Sequence, residues 1–201
     1  VQPRPTMQVI KTDIEGPVII EPRVFEDSRG YFFESFSQRD FDEQVAIPLC
    51  GHPIIFVQDN ESMSGYGVKR GLHFQRPPYT QSKIVRCVKG TVLDVAVDIR
   101  KGSPTYGQHV AVELSEANHR QFFVPKGFAH GFAVLSDVAV FQYKCDEFYH
   151  PEADGGISIS DESLGIDWRL PADKVILSDK DTRHPLLCDL DNPFDINNNL
   201  Y

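Results

Sequence analysis

The stretch TVLDVAVDIR, residues 91–100, alternates with a period of two: Leu93, Val95, Val97 and Ile99 fall on one face, and Val92, Asp94, Ala96 and Asp98 on the other. That is the pattern of a β-strand. Working outward, short runs rich in β-branched and aromatic residues recur at 17–25 (PVIIEPRVF), 54–60 (IIFVQDN), 82–88 (SKIVRCV), 108–114 (QHVAVEL), 120–125 (RQFFVP), 130–136 (HGFAVLS) and 138–145 (VAVFQYKC). Gly, Pro, Asn and Asp punctuate many of the gaps. Helical periodicity is confined to residues 37–46 (SQRDFDEQVA), where Ser37 is placed to cap one short helix and Pro48 to stop it. No helix follows each strand, so a parallel α/β sheet is excluded in favour of an all-β sandwich or barrel. From residue 161 onward Asp, Pro and Asn dominate, and the segment reads as loops and short turns around Trp168 and VILSDKD.

At 201 residues, with no internal repeat or linker, the chain is expected to form a single domain over 1–201, residues 182–201 being largely loop. Val1–Thr6 reads as an addition ahead of a natural start at Met7. No apolar run approaches the roughly 18 residues of a membrane span, and the opening residues lack the pattern of a signal peptide. Cys50, Cys87, Cys145 and Cys188 are widely spaced, as expected of reduced thiols in the cytoplasm. The formal net charge of −9 argues against nucleic acid as a partner, because such binding depends on many Lys and Arg contacts to phosphate. A small anionic ligand needs only a local cluster, and residues 67–90 supply one: Arg70, Arg76, Lys83 and Arg86 surround His73.

Two chemistries suit that histidine. His73 and His130 could be imidazole ligands of a metal in a β-barrel. However, HFQRPP after His73 offers no second histidine or glutamate, and the chain has no H-x-H. The alternative combines a histidine base, an orienting carboxylate, a tyrosine acid and a lysine. Proton abstraction next to a carbonyl creates an enolate that needs a fixed positive charge, and proton return on the opposite face inverts the carbon. Arg and Lys would also recognise a diphosphate on the substrate.

These residues sit in motifs that resemble the dTDP-4-dehydrorhamnose 3,5-epimerase family. The resemblance runs from about Met7 to Leu187 through IEPRVFEDSRGYFFESF, FVQDNES, RGLHFQ, QSKIVRCVKGTVLDVAVDIRKGSPTYGQ, PKGFAHGF, YKCDEFY, DESLGIDW and LSDKDTRHPLL. It implies a cupin-type jelly roll and a cofactor-independent isomerase. The substrate would be dTDP-4-dehydro-6-deoxy-D-glucose, converted to dTDP-4-dehydro-L-rhamnose. By motif position His73 would be the general base, Asp181 its paired carboxylate, Tyr143 the opposed acid and Lys83 the stabiliser of the C4 enolate oxygen. Arg70, Asp94 and His130 would complete the sugar and phosphate pocket. Arg29, Glu34, Gln58 and Asn60 would contact the nucleotide, Phe32 would stack on thymine, and Tyr149 would border the sugar. The resemblance further implies a homodimer whose N-terminal segments complete each other's sites, with no metal or organic cofactor. Relatives that epimerise only C3 or only C5, and a non-catalytic or metal-binding cupin, are the alternatives.

Overall fold

The computed structural model describes residues 6–201; the reading of Val1–Thr6 as an added segment therefore falls, apart from Thr6, outside the described residues. The strands are β1 (Met7–Lys11), β2 (Val18–Pro22), β3 (Val24–Asp27), β4 (Gly30–Phe33), β5 (Gln58–Gly65), β6 (Lys69–Gln75) and β7 (Lys83–Lys89). They continue with β8 (Thr91–Asp98), β9 (His109–Ser115), β10 (Gln121–Val124), β11 (Phe128–Val134), β12 (Val138–Cys145) and β13 (Asp154–Gly156). One antiparallel sheet has the order β1-β2-β10-β7-β12-β5 and the other β13-β6-β11-β8-β9, while β3 and β4 form a separate hairpin. The two larger sheets face each other as the jelly-roll sandwich expected.

Strand β8 shows how the layers arise. Its Val92 and Ala96 enter the space between the sheets with Val85, Phe122, Phe132 and Phe141. Leu93, Val95, Val97 and Ile99 point the other way, into a second core closed by Ile157, Ile159, Leu164, Trp168, Leu187 and Phe194. Both faces are buried, and each apolar side chain fully removed from water contributes about 1.5–3 kcal/mol. The C-terminal loops are thus a packed third layer that shields the apolar face of the five-stranded sheet. On the six-stranded sheet the corresponding cover is the helical segment, where Phe41, Val45 and Ala46 meet Ile20, Ile84 and Phe123.

That helical segment departs from expectation. Ser37 does cap it, accepting from the Asp40 N–H at 3.3 Å. It then runs through α1 (Gln38–Phe41), a π turn (Asp42–Ala46) and α2 (Ile47–Cys50), passing Pro48 instead of stopping there. Proline disrupts a helix by lacking an N–H and by crowding the preceding turn. The wider π turn immediately before it relieves both demands, since the Ile47 N–H already reaches back to the Asp42 carbonyl. The helix ends at Gly51, whose φ of 83° only glycine adopts readily.

Candidate active site

His73 is carried on β6 and Asp181 on a turn 108 residues later, so tertiary pairing has to bring them together. The join is a parallel bridge between Val68 and Ile176, in which the Ile176 N–H donates to the Gly67 carbonyl and the Lys69 N–H to the Ile176 carbonyl. With that segment fastened beside the start of β6, the following turn places Asp181 against His73. The His73 Nε2–H donates to Asp181 Oδ1 at 2.6 Å. His184 Nε2 donates to the same oxygen at 3.3 Å, and the Gly71 N–H donates to Oδ2 at 3.1 Å. Burial of Asp181, which is 4% exposed, works to raise its pKa. Hydrogen bonds from His184, His73 and Gly71 outweigh burial and hold the carboxyl well below the usual carboxylate range. An ionised Asp181 fixes the Nε2–H tautomer of His73 and leaves Nδ1 with a free lone pair.

The partner of His73 across β6 and β11 is His130. Two glycines set how closely these strands approach. A Cβ on Gly131 would lie 2.5 Å from the Arg70 carbonyl oxygen, and one on Gly71, whose φ is 131°, would lie 2.7 Å from the Gly131 Cα. His130 Nε2 meets both oxygens of Asp94, at 2.9 and 2.8 Å. Burial lowers the pKa of His130 against the pull of Asp94, so a neutral imidazole donates its Nε2–H to that carboxylate. His73, His130 and Lys83 line one cavity between the sheets, together with Gln75, Gln81 and Phe128.

The six-stranded sheet contributes Lys83 to this cavity. Lys83 opens β7, and Tyr143 lies on the neighbouring β12 with its ring centroid 5.5 Å from Lys83 Nζ. Burial lowers the Lys83 pKa, with Asp94 among the groups opposing it. Burial raises that of Tyr143, with Asn60 and Arg70 pulling the other way. Asn60 is the cross-strand partner of Tyr143 on β5, and its amide oxygen accepts from Gln58 Nε2 at 3.1 Å. Gln58 Oε1 in turn accepts from the Tyr149 N–H at 3.2 Å, and Arg70 Nε donates to Ser64 Oγ at 3.0 Å. The sandwich therefore presents an imidazole held by a carboxylate on one sheet and a phenol beside a buried amine on the other.

A sequence model of the dTDP-4-dehydrorhamnose 3,5-epimerase family matches residues 11–189. The chain belongs to this family. It is 54% identical over 177 residues to the dTDP-4-dehydrorhamnose 3,5-epimerase of Escherichia coli strain K12, covering 88% of this chain and 92% of that one. It is also similar to a solved dTDP-6-deoxy-D-glucose-3,5-epimerase of Legionella pneumophila Philadelphia 1 in complex with dTDP-4-keto-L-rhamnose. Identity there is 50% and the TM-score 0.86, over 92% of this chain and 95% of that chain. A 3'-monoepimerase from Streptomyces bikiniensis in complex with dTDP-quinovose is more distant, at 33% identity and TM-score 0.81 over 89% of this chain and 87% of that chain. As an isomerase of this family, the chain epimerises a dTDP-4-keto sugar.

For this 3,5-epimerase, the thirteen site residues expected from sequence separate into two groups. His73, Lys83, Asp94, His130, Tyr143 and Asp181 gather in and around the space between the sheets, with Arg70, Gln58, Asn60 and Tyr149 linked to them as described. Arg29, Phe32 and Glu34 do not join them within one chain. They belong to the hairpin β3–β4 and the residue after it. The hairpin's Tyr31 and Phe33 pack at a tilt against His119, with ring centroids 4.8 and 5.1 Å from its own, and Arg86 lies over Phe33. Phe32 is 72% exposed, Arg29 is paired with Asp27, and Glu34 accepts from Thr6 Oγ1 at 3.3 Å. His73 and His130, the metal pair weighed and set aside on sequence, turn to different carboxylates. His130 is committed to Asp94, and the histidine that shares the Asp181 carboxylate with His73 is His184, whose role the sequence reading missed. The His73, Asp181 and His184 donor atoms lie within 4.8 Å of one another, and the hydrogen bonds through Asp181 account for that cluster. Its only sequence signal is a position three residues after Asp181 in LSDKDTRHPLL.

Proposed function

We propose that the chain converts dTDP-4-dehydro-6-deoxy-D-glucose to dTDP-4-dehydro-L-rhamnose with His73 as the general base for both C3 and C5. The reading rests above all on Lys83, which lines one cavity with His73 of the five-stranded sheet and lies 5.5 Å from the ring centroid of Tyr143 on the six-stranded one. His73 Nδ1 takes the proton from a carbon next to the C4 ketone, and the electron pair moves onto the C4 oxygen. The Lys83 ammonium stabilises that enolate, and its burial makes partial proton transfer to the oxygen easier. Tyr143 then delivers its proton to the opposite face of the carbon. Burial keeps its hydroxyl protonated at neutral pH and therefore able to donate. The tyrosinate regains a proton from solvent and His73 loses one, which closes the cycle. C3 and C5 flank the same ketone, so the same groups serve both centres. Asp181 holds the His73 tautomer and offsets its positive charge once it is protonated.

Arg70, Asp94 and His130 would border the sugar and phosphates, with Gln58, Asn60 and Tyr149 beside them. Arg29, Phe32 and Glu34 would reach the nucleotide in a partner's site, which the exposed hairpin favours and which makes the enzyme a homodimer. The same reading places a single catalytic domain in the cytoplasm, supported by four free cysteines. Incubation with the dTDP-4-keto sugar in deuterated water, followed by NMR, tests the function. Deuterium and inversion are expected at both C3 and C5. Reaction at one centre alone would make the enzyme a mono-epimerase, and no exchange at either centre would overturn the reading.

A further inference from the structure

Asp181 Oδ1 accepts from two imidazoles at once, His73 at 2.6 Å and His184 at 3.3 Å, while Oδ2 is taken by the Gly71 N–H. The arrangement is built into the fold. The His184 side chain is about one-tenth exposed, and its ring lies 5.7 Å from that of His73. Its ring also needs Gly156 on β13, since a Cβ there would come within 2.8 Å of the His184 Cε1. A carboxylate oxygen that serves two donors gives less of its charge to each.

We infer that His184 is a positioning residue for the epimerisation: by donating to the oxygen that holds His73, it limits how strongly Asp181 stabilises the protonated base. The inference rests on the proposed role of His73. Without the His184 N–H, Asp181 becomes a stronger acceptor for His73 alone, the imidazolium is favoured, and less free base is present at neutral pH. If His184 itself becomes protonated, it opposes a charge on His73, so its removal acts in the same direction. Other charged groups near the cluster are accounted for separately. Lys180, next to Asp181, is paired with Asp154. From the strands, His130 is paired with Asp94, and Lys83 lines the same cavity as His73. None of these donates to Asp181, so each stays in place when His184 is changed.

The test compares His184→Phe, which keeps a ring but loses the donor, with His184→Gln, which keeps an N–H. His73 is followed by NMR of its imidazole across pH, alongside the pH profile of kcat/KM. In His184→Phe the titration midpoint of His73 is expected to rise by about 0.5–1 pH unit, the scale of a lost neighbouring interaction. The acid limb of kcat/KM should move with it. His184→Gln is expected to restore both toward the unsubstituted protein. An unmoved His73 midpoint in a folded His184→Phe would overturn the inference whatever the activity. So would a midpoint that rises equally in both variants. If the midpoint rises and the acid limb stays put, the coupling holds and His73 is not the base. Should the Phe variant fail to fold, His184→Leu serves in its place with the same expected rise.

Discussion

His73 and His130 face each other as partners across β6 and β11, yet their imidazoles answer to different carboxylates, Asp181 at 2.6 Å and Asp94 at 2.8 Å. The two histidines are therefore not interchangeable. Among the described residues His73 Nδ1 has no hydrogen-bond partner and the side chain is partly exposed, whereas His130 is a buried neutral donor.

Base and acid should separate experimentally. His73→Ala removes the only base in the proposed scheme, so deuterium exchange and product should both fall by at least the ~10²–10⁴-fold typical of general base catalysis. Tyr143→Phe keeps the base and loses the opposed acid. It should still exchange deuterium at C3 or C5 while forming much less inverted sugar, because the proton returns to the face it left. Normal inversion by Tyr143→Phe, read by NMR, would remove Tyr143 from that role.

Asp181 makes stability depend on pH. Its folded pKa is depressed, because the hydrogen bonds from His184, His73 and Gly71 exceed the burial penalty. A depressed carboxyl stabilises the fold fully above its unfolded value of about 3.9, and that contribution fades as pH falls below it toward the lower folded value. Thermal unfolding of Asp181→Asn should therefore lag the unsubstituted protein at neutral pH. The gap should narrow as the buffer is taken below about pH 4. A gap independent of pH would show that packing, not charge, explains the loss.

Close approach of β6 and β11 can be tested at Gly131. An added methyl would meet the Arg70 carbonyl at 2.5 Å, which is backbone and cannot rotate away. Gly131→Ala should cost about 1–3 kcal/mol, in the range of overpacked sites. It should also lower kcat more than other variants of equal stability, since the strands that carry His73 and His130 are pushed apart. Denaturant unfolding and steady-state kinetics together measure both effects.

Phe194 is fully buried, and its ring meets Phe74, the neighbour of His73, with centroids 5.3 Å apart. Phe194→Ala should destabilise the protein by about 3–5 kcal/mol, as for other buried aromatics. An effect within 0.5 kcal/mol in denaturant unfolding, about the size of a surface change, would contradict the packed third layer.

For the homodimer, light scattering at micromolar concentration should give the mass of two chains. dTDP alone should raise the melting temperature through preferential binding to the folded state. If Arg29 serves a partner's site, mixed dimers of two inactive variants, Arg29→Ala and His73→Ala, should regain part of the activity. A one-chain mass would refute the assembly, and no thermal shift would refute the nucleotide contacts.

Much of the architecture is legible along the chain because strand signals are local. Alternation at 91–100, 108–114 and 138–145 corresponds to β8, β9 and β12. Where side-chain pattern and backbone pairing diverge, reading fails. The apolar run 54–57 precedes β5 instead of forming it, and the strand itself is the polar QDNESMSG, held by its ladder to β12. PVIIEPRVF reads as one strand but divides between β2 and β3, which belong to different sheets. Pro48 lies inside a helix because a π turn, invisible to periodicity, precedes it.

By itself the sequence determined the strand-rich class, the residue types at the site and, through motif order, the family. Those depend on side-chain chemistry and short spacing. Only tertiary structure decided which partner each charged group received, because Asp181 reaches His73 through a bridge at Ile176 and Asp94 reaches His130 through the pairing of β8 with β11. It also sent the apolar face of 93–99 outward under the C-terminal loops, leaving Asp94 to face the interior, a choice that alternation leaves open since it marks two faces without naming their neighbours. And it set Arg29 and Phe32 apart from His73, because a hairpin of four-residue strands packs where Arg86 and His119 receive it, whatever motif it belongs to.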